Sequence, residues 1–359
     1  MMDLKPRSFF VVGVMSGTSL DGLDLAFVEF NFNQNKWNYR FISTDTKPYD
    51  SYWVEQLSKA RFLSAKALAL LDNEYTNYLA NQIQIFIDKN TGSDIDLISS
   101  HGHTVHHQPD KGITVQIGNQ SKLSIELGKT VVCDFRVQDV VLGGQGAPLV
   151  PGGEYYLFAD YDACVNLGGF ANISLIKNQL KPLAFDIAAA NLVFNELSNR
   201  LDLSYDSGGE IASKGSLVTK LLDELNALDY YKQTYPKSLG VEWISQYVEP
   251  IFNKFNQESI SNLMHTYSIH LAGQISKALP NSGKVLFSGG GTHNDFLLQQ
   301  IKKNSTAEIC IPSSVLIDYK EAMIFGFLGL LRILGVNNCF SSVTGSTHNH
   351  SSGVIFENK

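Results

Sequence analysis

Residues 9–30 read FFVVGVMSGTSLDGLDLAFVEF, two apolar runs pinned around a polar loop. Phe9–Val14 and Leu25–Phe30 have strand character, which leaves the ten positions 15–24 as the connection. That exceeds the hairpin norm of about 2–5 residues. The loop has no Lys, and a strand follows it where a phosphate loop would lead into a helix. Backbone amides and the hydroxyls of Thr18 and Ser19 can face phosphate oxygens, and Gly17 and Gly22 permit close backbone approach. Asp21 and Asp24 repel phosphate but suit Mg²⁺, which bridges carboxylate and phosphate oxygens. Composition alone also fits a plain hairpin turn. A second strand–Gly–strand unit, ACVNLGGFANISLI at 163–176, argues for function. The pattern starts twice in one chain, as a duplicated α/β fold around a central cleft would leave it.

The rest of the chain bounds the partners. Its 359 residues carry a net charge of −7, which gives no basic field for nucleic acid. The four cysteines are far apart and form no CxxC pair, so spacing suggests neither zinc nor a disulfide framework, and scattered thiols fit a reducing compartment. The N-terminal apolar run reads as a first strand rather than a signal peptide. The apolar segment from Glu321 contains Arg332 and reads as a buried helix, not a membrane span. A cytoplasmic protein is the expectation. The Gly- and Pro-rich stretch 136–158 is the candidate crossing, giving domains 1–137, completed by 336–359, and 138–335.

Candidate chemistry lies at the ends of predicted strands. Asp186, in LAFDIAAANLVF, follows a strand and precedes a helix. It reads either as a helix N-cap or as a base at the sheet's ligand edge, kept ionised by the helix dipole. Gly168 and Gly169 and the turn Gly289–Gly291 offer bare backbone to a nucleotide, with Asn294 at the following helix start. His101, His103, His106 and His107 have spacing that invites zinc, but no acidic or thiol ligand completes a set, and hydrogen bonding to substrate is the preferred reading. Arg136 can clamp a carboxylate or phosphate through its fork, or make a surface ion pair with Asp134 or Asp139. Glu321 reads as a first-turn acid of its helix or as a site residue.

The ordered set GVMSGTSLDGLDLA, SHGHTVHHQP, DFRVQDVVLGGQGAPLVP, VNLGGFANIS, FDIAAAN, GGGTHN and DYKEAMIFGFLG resembles the anhydro-N-acetylmuramic acid kinases of bacterial cell-wall recycling. The resemblance runs from Gly13 to about Gly329, and MSGTSLDG and GGQGAPLVP are specific to that family. It implies two ribonuclease-H-like domains of the actin-like ATPase fold, with ATP and Mg²⁺ in a central nucleotide cleft. It further implies hydrolysis of the 1,6-anhydro bond with phosphorylation of the freed 6-oxygen. By resemblance, Asp186 is the base that activates water. Gly17, Thr18, Ser19, Leu20, Asp21, Gly22, Leu23 and Asp24 form the phosphate loop, with Asp21 the metal ligand. Gly168, Gly169, Gly290, Gly291 and Asn294 are the further ATP contacts, and His103, Thr104, Arg136 and Glu321 face the sugar. The expected partners are that sugar and ATP, with no nucleic acid or membrane, and a homodimer is compatible with the reading. Many relatives read DTGPGN where this chain has Asp186, Ile187, Ala188, Ala189, Ala190 and Asn191. Alanine disfavours positive φ, so a reshaped site is the expectation if the relatives' loop uses that conformation. The alternatives are a kinase of another sugar and a catalytically altered nucleotide-binding relative.

Overall fold

The computed structural model describes residues 5–90, 92, 94–177 and 181–358. Its strands are β1 Arg7–Ser16, β2 Gly22–Asn33, β3 Lys36–Pro48, β4 Leu97–Gln108, β5 Ile113–Ile117, β6 Val131–Cys133, β7 Ala163–Leu167, β8 Phe170–Leu175, β9 Leu183–Ala189, β10 Lys284–Ser288, β11 Glu308–Cys310 and β12 Val354–Phe356. The chain divides into two compact units, Met1–Leu157 with Tyr319–Lys359, and Phe158–Asp318. The crossings thus fall at 157/158 and 318/319, where the sequence suggested 137/138 and 335/336. The segment 138–157 and most of the long apolar helix pack into the first unit.

Both units are built on one plan. The first has the strand order β12-β6-β4-β1-β2-β3, with β5 paired to β4, and the second has β11-β10-β7-β8-β9. In each, three consecutive strands form an antiparallel meander. Beside the first strand of each meander, β4 then β6, or β10 then β11, continue the sheet in parallel. Parallel neighbours need a crossover, and the helix Ala65–Asp88 supplies one between β3 and β4. Ser64 caps it, its Oγ accepting from Ala67 N at 3.3 Å.

Period-two alternation in β1 sets the packing of the first unit. Val12 and Val14 face a core shared with Leu71, Tyr75, Leu79 and Ile83 of the helix Ala65–Asp88. Val11 and Gly13 turn to the other face and meet the helix Ser314–Ile333, where a Cβ on Gly326 would lie 3.5 Å from Val11. A Cβ on Gly13 would lie 1.9 Å from the carbonyl oxygen of Ala322, so this strand and helix touch backbone to backbone. Ser99 of β4 donates its hydroxyl to Phe325 O at 2.6 Å in the same layer. Gly13→Ala is therefore expected to cost on the order of 4 kcal/mol, read as a lowered denaturant midpoint. Gly326→Ala, whose Cβ would meet the same strand at 3.2 Å or more, gains helix propensity and should cost far less. Equal losses would show that the close approach is not what Gly13 provides.

In the second unit the β7–β10 face packs on the helices Asn191–Asn199, Ile260–Ala278 and Asp295–Asn304. Ala188, Ala189 and Ala190 are buried in that core.

Candidate active site

The opening loop is shorter than its sequence suggested. β1 and β2 pair through Met15↔Asp24 and Ser16↔Leu23, so five residues, 17–21, connect them. The strands extend because Leu23 and Leu25 are apolar and bury fully on the core face. Leu23 thus offers a ligand only its backbone. Thr18, Ser19 and Asp21 are exposed. Ser19 Oγ donates to Asp21 Oδ1 at 2.7 Å, and Leu20 takes φ 60°, the left-handed region. A Cβ on Gly22 would lie 2.6 Å from Lys47 O, so the glycine there serves strand packing.

The β1 end is held from below by a buried chain of hydroxyls. Ser16 Oγ lies 2.9 Å from His103 Nδ1 and 2.7 Å from Tyr49 Oη, which in turn lies 2.6 Å from Tyr75 Oη. Burial pulls the His103 pKa down to about 4, so the ring is neutral at pH 7. Its side chain is 2% exposed and its contact is Ser16. Thr104, the next residue, is half-buried and pairs with Gln116 of β5.

Asp24 sits on β2, not in the loop. Thr46 Oγ1 donates to Asp24 Oδ1 at 2.7 Å and lies 3.1 Å from Tyr319 Oη. Glu321 is in the third turn of Ser314–Ile333, not the first, so the helix dipole does not account for it. Glu321 is exposed, and the desolvation its surroundings still impose lifts its pKa against the opposing pull of Lys320 and Arg136, with Asp24 and Glu154 adding to the rise. Lys320 and Glu154 form a buried ion pair at 2.8 Å.

Arg136 makes neither expected ion pair. Its Nε donates to His101 Nε2 at 2.9 Å and its Nη1 to Gly146 O at 2.7 Å. His101 Nδ1 lies 2.9 Å from Gly102 O. A carbonyl can only accept, so Nδ1 carries the proton and Nε2 offers its lone pair to Arg136. Burial, with the Arg136 charge beside it, holds the His101 pKa well below the usual imidazole value, which fits this neutral tautomer. Desolvation lowers Arg136 itself to about 10, still cationic at pH 7. Its Nη2 has no protein hydrogen bond among the described residues.

In the second unit, Asp186 lies in the middle of β9, opposite Asn172 of β8. The helix starts at Asn191, so the expected dipole effect does not reach it. Burial raises its pKa, opposed by the amide of Leu239, which donates to Oδ2 at 2.9 Å. This reverses the predicted direction and makes Asp186 a stronger base than the sequence suggested. Oδ1 has no hydrogen bond among the described residues. The chain at 230–239 frames the residue. Tyr230 Oη donates to Asp186 O at 2.6 Å, Asp186 N donates to Lys237 O at 3.1 Å, and Tyr235 stacks on Phe185. Sequence reading passed over this segment, which carries no motif. None of residues 187–190 has positive φ, so the alanines after Asp186 meet no left-handed backbone.

Gly168 and Gly169 form a two-residue turn, where Gly169 O accepts from Ala190 N at 2.8 Å and Gly168 O from Asn191 N at 3.1 Å. Gly289 takes φ 84°, and Gly291 packs on Leu167. Gly290 is exposed, and a Cβ there would meet nothing within 4 Å. Asn294 caps the helix Asp295–Asn304, accepting from Leu297 N at 2.9 Å.

A family model described as anhydro-N-acetylmuramic acid kinase matches residues 9–358. An anhydro-N-acetylmuramic acid kinase of Francisella tularensis subsp. novicida is 32% identical, covering 94% of this chain and 96% of the relative. One from Aliivibrio fischeri is 31% identical, covering 96% and 98%. Among solved structures, a ligand-bound xylulose kinase from Lactobacillus acidophilus aligns with TM-score 0.44 at 10% identity, covering 89% of each chain.

Proposed function

The chain belongs to the anhydro-N-acetylmuramic acid kinase family, and from that premise we infer how its residues divide the reaction. The enzyme opens the 1,6-anhydro ring of anhydro-N-acetylmuramic acid and phosphorylates the 6-oxygen, giving N-acetylmuramic acid 6-phosphate at the expense of ATP. The 6-oxygen has no proton to lose, because it is bonded to the anomeric carbon. The base must therefore serve a water. Asp186 takes a proton from water as its oxygen bonds to the anomeric carbon. The C1–O6 bond breaks, its electron pair goes to O6, and O6 attacks the γ-phosphorus as the bond to ADP breaks. The observation that carries this assignment is the half-satisfied Asp186 carboxylate, with Oδ2 held by Leu239 and a raised pKa. A carboxylate with a raised pKa is a stronger base than an ordinary one.

Arg136, with Nε and Nη1 engaged and Nη2 unused, suits the carboxylate of a muramic acid. His103 fixes Ser16 at the strand end rather than touching sugar. The exposed amides and hydroxyls of 17–21 suit phosphate, and the open face of Gly290 suits the nucleotide. The carboxylate oxygens of Asp21 and Asp24 fit a hard cation such as Mg²⁺, which would neutralise phosphate charge there. Among the described residues no helix is long and apolar enough to cross a membrane, in keeping with a cytoplasmic enzyme.

The direct test supplies anhydro-N-acetylmuramic acid, ATP and Mg²⁺ and follows the 6-phosphate by mass spectrometry. Product from this sugar and not from a panel of simple hexoses is the expected result. Turnover of a hexose alone would overturn the substrate assignment. Gly290→Val should fold as wild type, having room, yet raise the KM for ATP by about tenfold or more. An unchanged KM removes Gly290 from the nucleotide site.

A further inference from the structure

We propose that Asp139, Cys339 and His350 form a binding site for one thiophilic divalent cation of the Zn²⁺ class. The three are brought together in the first unit from positions 200 residues apart, and all are buried, at 0%, 2% and 5% exposure. One ligand atom from each lies within 4.8 Å of the others. Cys339 Sγ is 3.1 Å from Asp139 Oδ1, and His350 Nε2 is 3.5 Å from the same oxygen. Metal–ligand bonds of about 2.0–2.3 Å give tetrahedral edges of roughly 3.3–3.8 Å, so the His350–Asp139 separation fits as it stands and Cys339 would draw back by a few tenths of an ångström on binding.

The second observation is the state of His350. Its Nδ1 lies 3.2 Å from His348 O, a carbonyl that can only accept, so Nδ1 carries a proton. That leaves Nε2 as a buried atom with no hydrogen-bond partner, aimed at the Asp139 carboxylate. A neutral ring so placed sets a lone pair against an anion, and a cation between them removes the conflict. A backbone carbonyl on the far nitrogen of a ligating histidine is the usual outer-shell arrangement. Asp139 is likewise oriented from behind, its Oδ2 accepting from Gly146 N at 2.7 Å. Thr344 Oγ1 donates to Asp139 Oδ1 at 2.7 Å and further orients the carboxylate. On binding, the Cys339 thiol releases its proton to solvent. One carboxylate and one thiolate then balance the dication, so the buried site carries no net charge. The donor set, with sulfur and imidazole, selects against the Mg²⁺ that accompanies ATP.

The consequence is mechanical. Gly146 gives its amide to Asp139 and its carbonyl to Arg136. Fixing Asp139 to residues 339 and 350 thereby fixes the acceptor that orients the Arg136 guanidinium. The role is structural, outside the chemistry of phosphoryl transfer.

Full-length protein is stripped with chelator and titrated with Co²⁺. The expected result is one Co²⁺ per chain, tetrahedral d–d absorption, and a thiolate-to-cobalt charge-transfer band in the near ultraviolet, all abolished by added Zn²⁺. Cys339→Ser should lose the charge-transfer band. His350→Ala should weaken Co²⁺ binding at least about tenfold. His348→Ala should change neither. Zn²⁺ should raise the wild-type Tm and leave that of His350→Ala unmoved. No charge-transfer band in the wild type would overturn the proposal. So would a band that survives Cys339→Ser, or a His348→Ala loss equal to that of His350→Ala. If Cys339→Ser does not fold, Cys339→Ala takes its place, and if neither folds the wild-type band decides alone.

Discussion

Asp186→Asn is expected to lower turnover of the anhydro sugar by about 10³-fold, within the ~10²–10⁴ range for a positioned base. The amide keeps the size of the carboxyl, and its oxygen can still accept from Leu239 N, so the KM for ATP should stay within about twofold. The pH profile separates a base from a mere positioning group. Burial raises the Asp186 pKa, so wild-type kcat/KM should fall on the acid side above pH ~4, where an exposed Asp would titrate. That limb should vanish in the variant. Stability gives an independent sign. A carboxyl whose folded pKa is raised is disfavoured when ionised, so its contribution is best below the unfolded pKa and is lost as pH rises through the folded one. Asp186→Asn should therefore raise the Tm at pH 8, with the gain shrinking as pH falls through that window. A variant within a few-fold of wild-type rate would remove Asp186 from the proton transfer.

The second large effect concerns stability. Lys320→Met is expected to destabilise the first unit by about 3–5 kcal/mol, because it strands Glu154 in the interior. The two side chains are each 3% exposed and 2.8 Å apart, and Glu154 Oε2 already has no hydrogen-bond partner. The loss should appear as a Tm lower by roughly 10 °C. The double change Glu154→Leu with Lys320→Met removes both charges and should recover most of it, since a buried pair is rarely better than apolar packing. Were the double variant no more stable than Lys320→Met, the loss would lie in packing and not in the stranded charge. Lys320 also pulls the Glu321 pKa down, so its removal should move any Glu321-dependent limb to higher pH.

The repeated plan of the two units was legible because alternation, glycine punctuation and apolar helices are local signals. They survive in the strand order, which is the same in both halves apart from the added β5 and β12. The family was legible for the same reason, since its motifs are short and contiguous. What misled was inference about ends. Asp186 looked like a strand terminus because Ala188–Ala190 read as helix, whereas β8 pairs with Ala188 and Ala189 and extends the strand. Glu321 looked like a helix start because the long apolar run begins just after it, though the helix begins seven residues earlier, at Ser314. Pairing and packing partners decide such boundaries, and they are distant in sequence.

The sequence by itself determined the fold class, the family and the identity of the candidate base, through patterns that each fit within a few tens of residues. Only the tertiary structure decided the protonation chemistry. The direction of the Asp186 shift depends on burial and on the Leu239 amide 53 residues away. The neutral tautomer of His101 depends on a hydrogen bond from Arg136. The cluster of Asp139, Cys339 and His350 has no spacing to read, since two of its members are 200 residues apart. A pKa or a ligand set is a property of what surrounds an atom in space, and for these groups the chain brings those surroundings from far along its length.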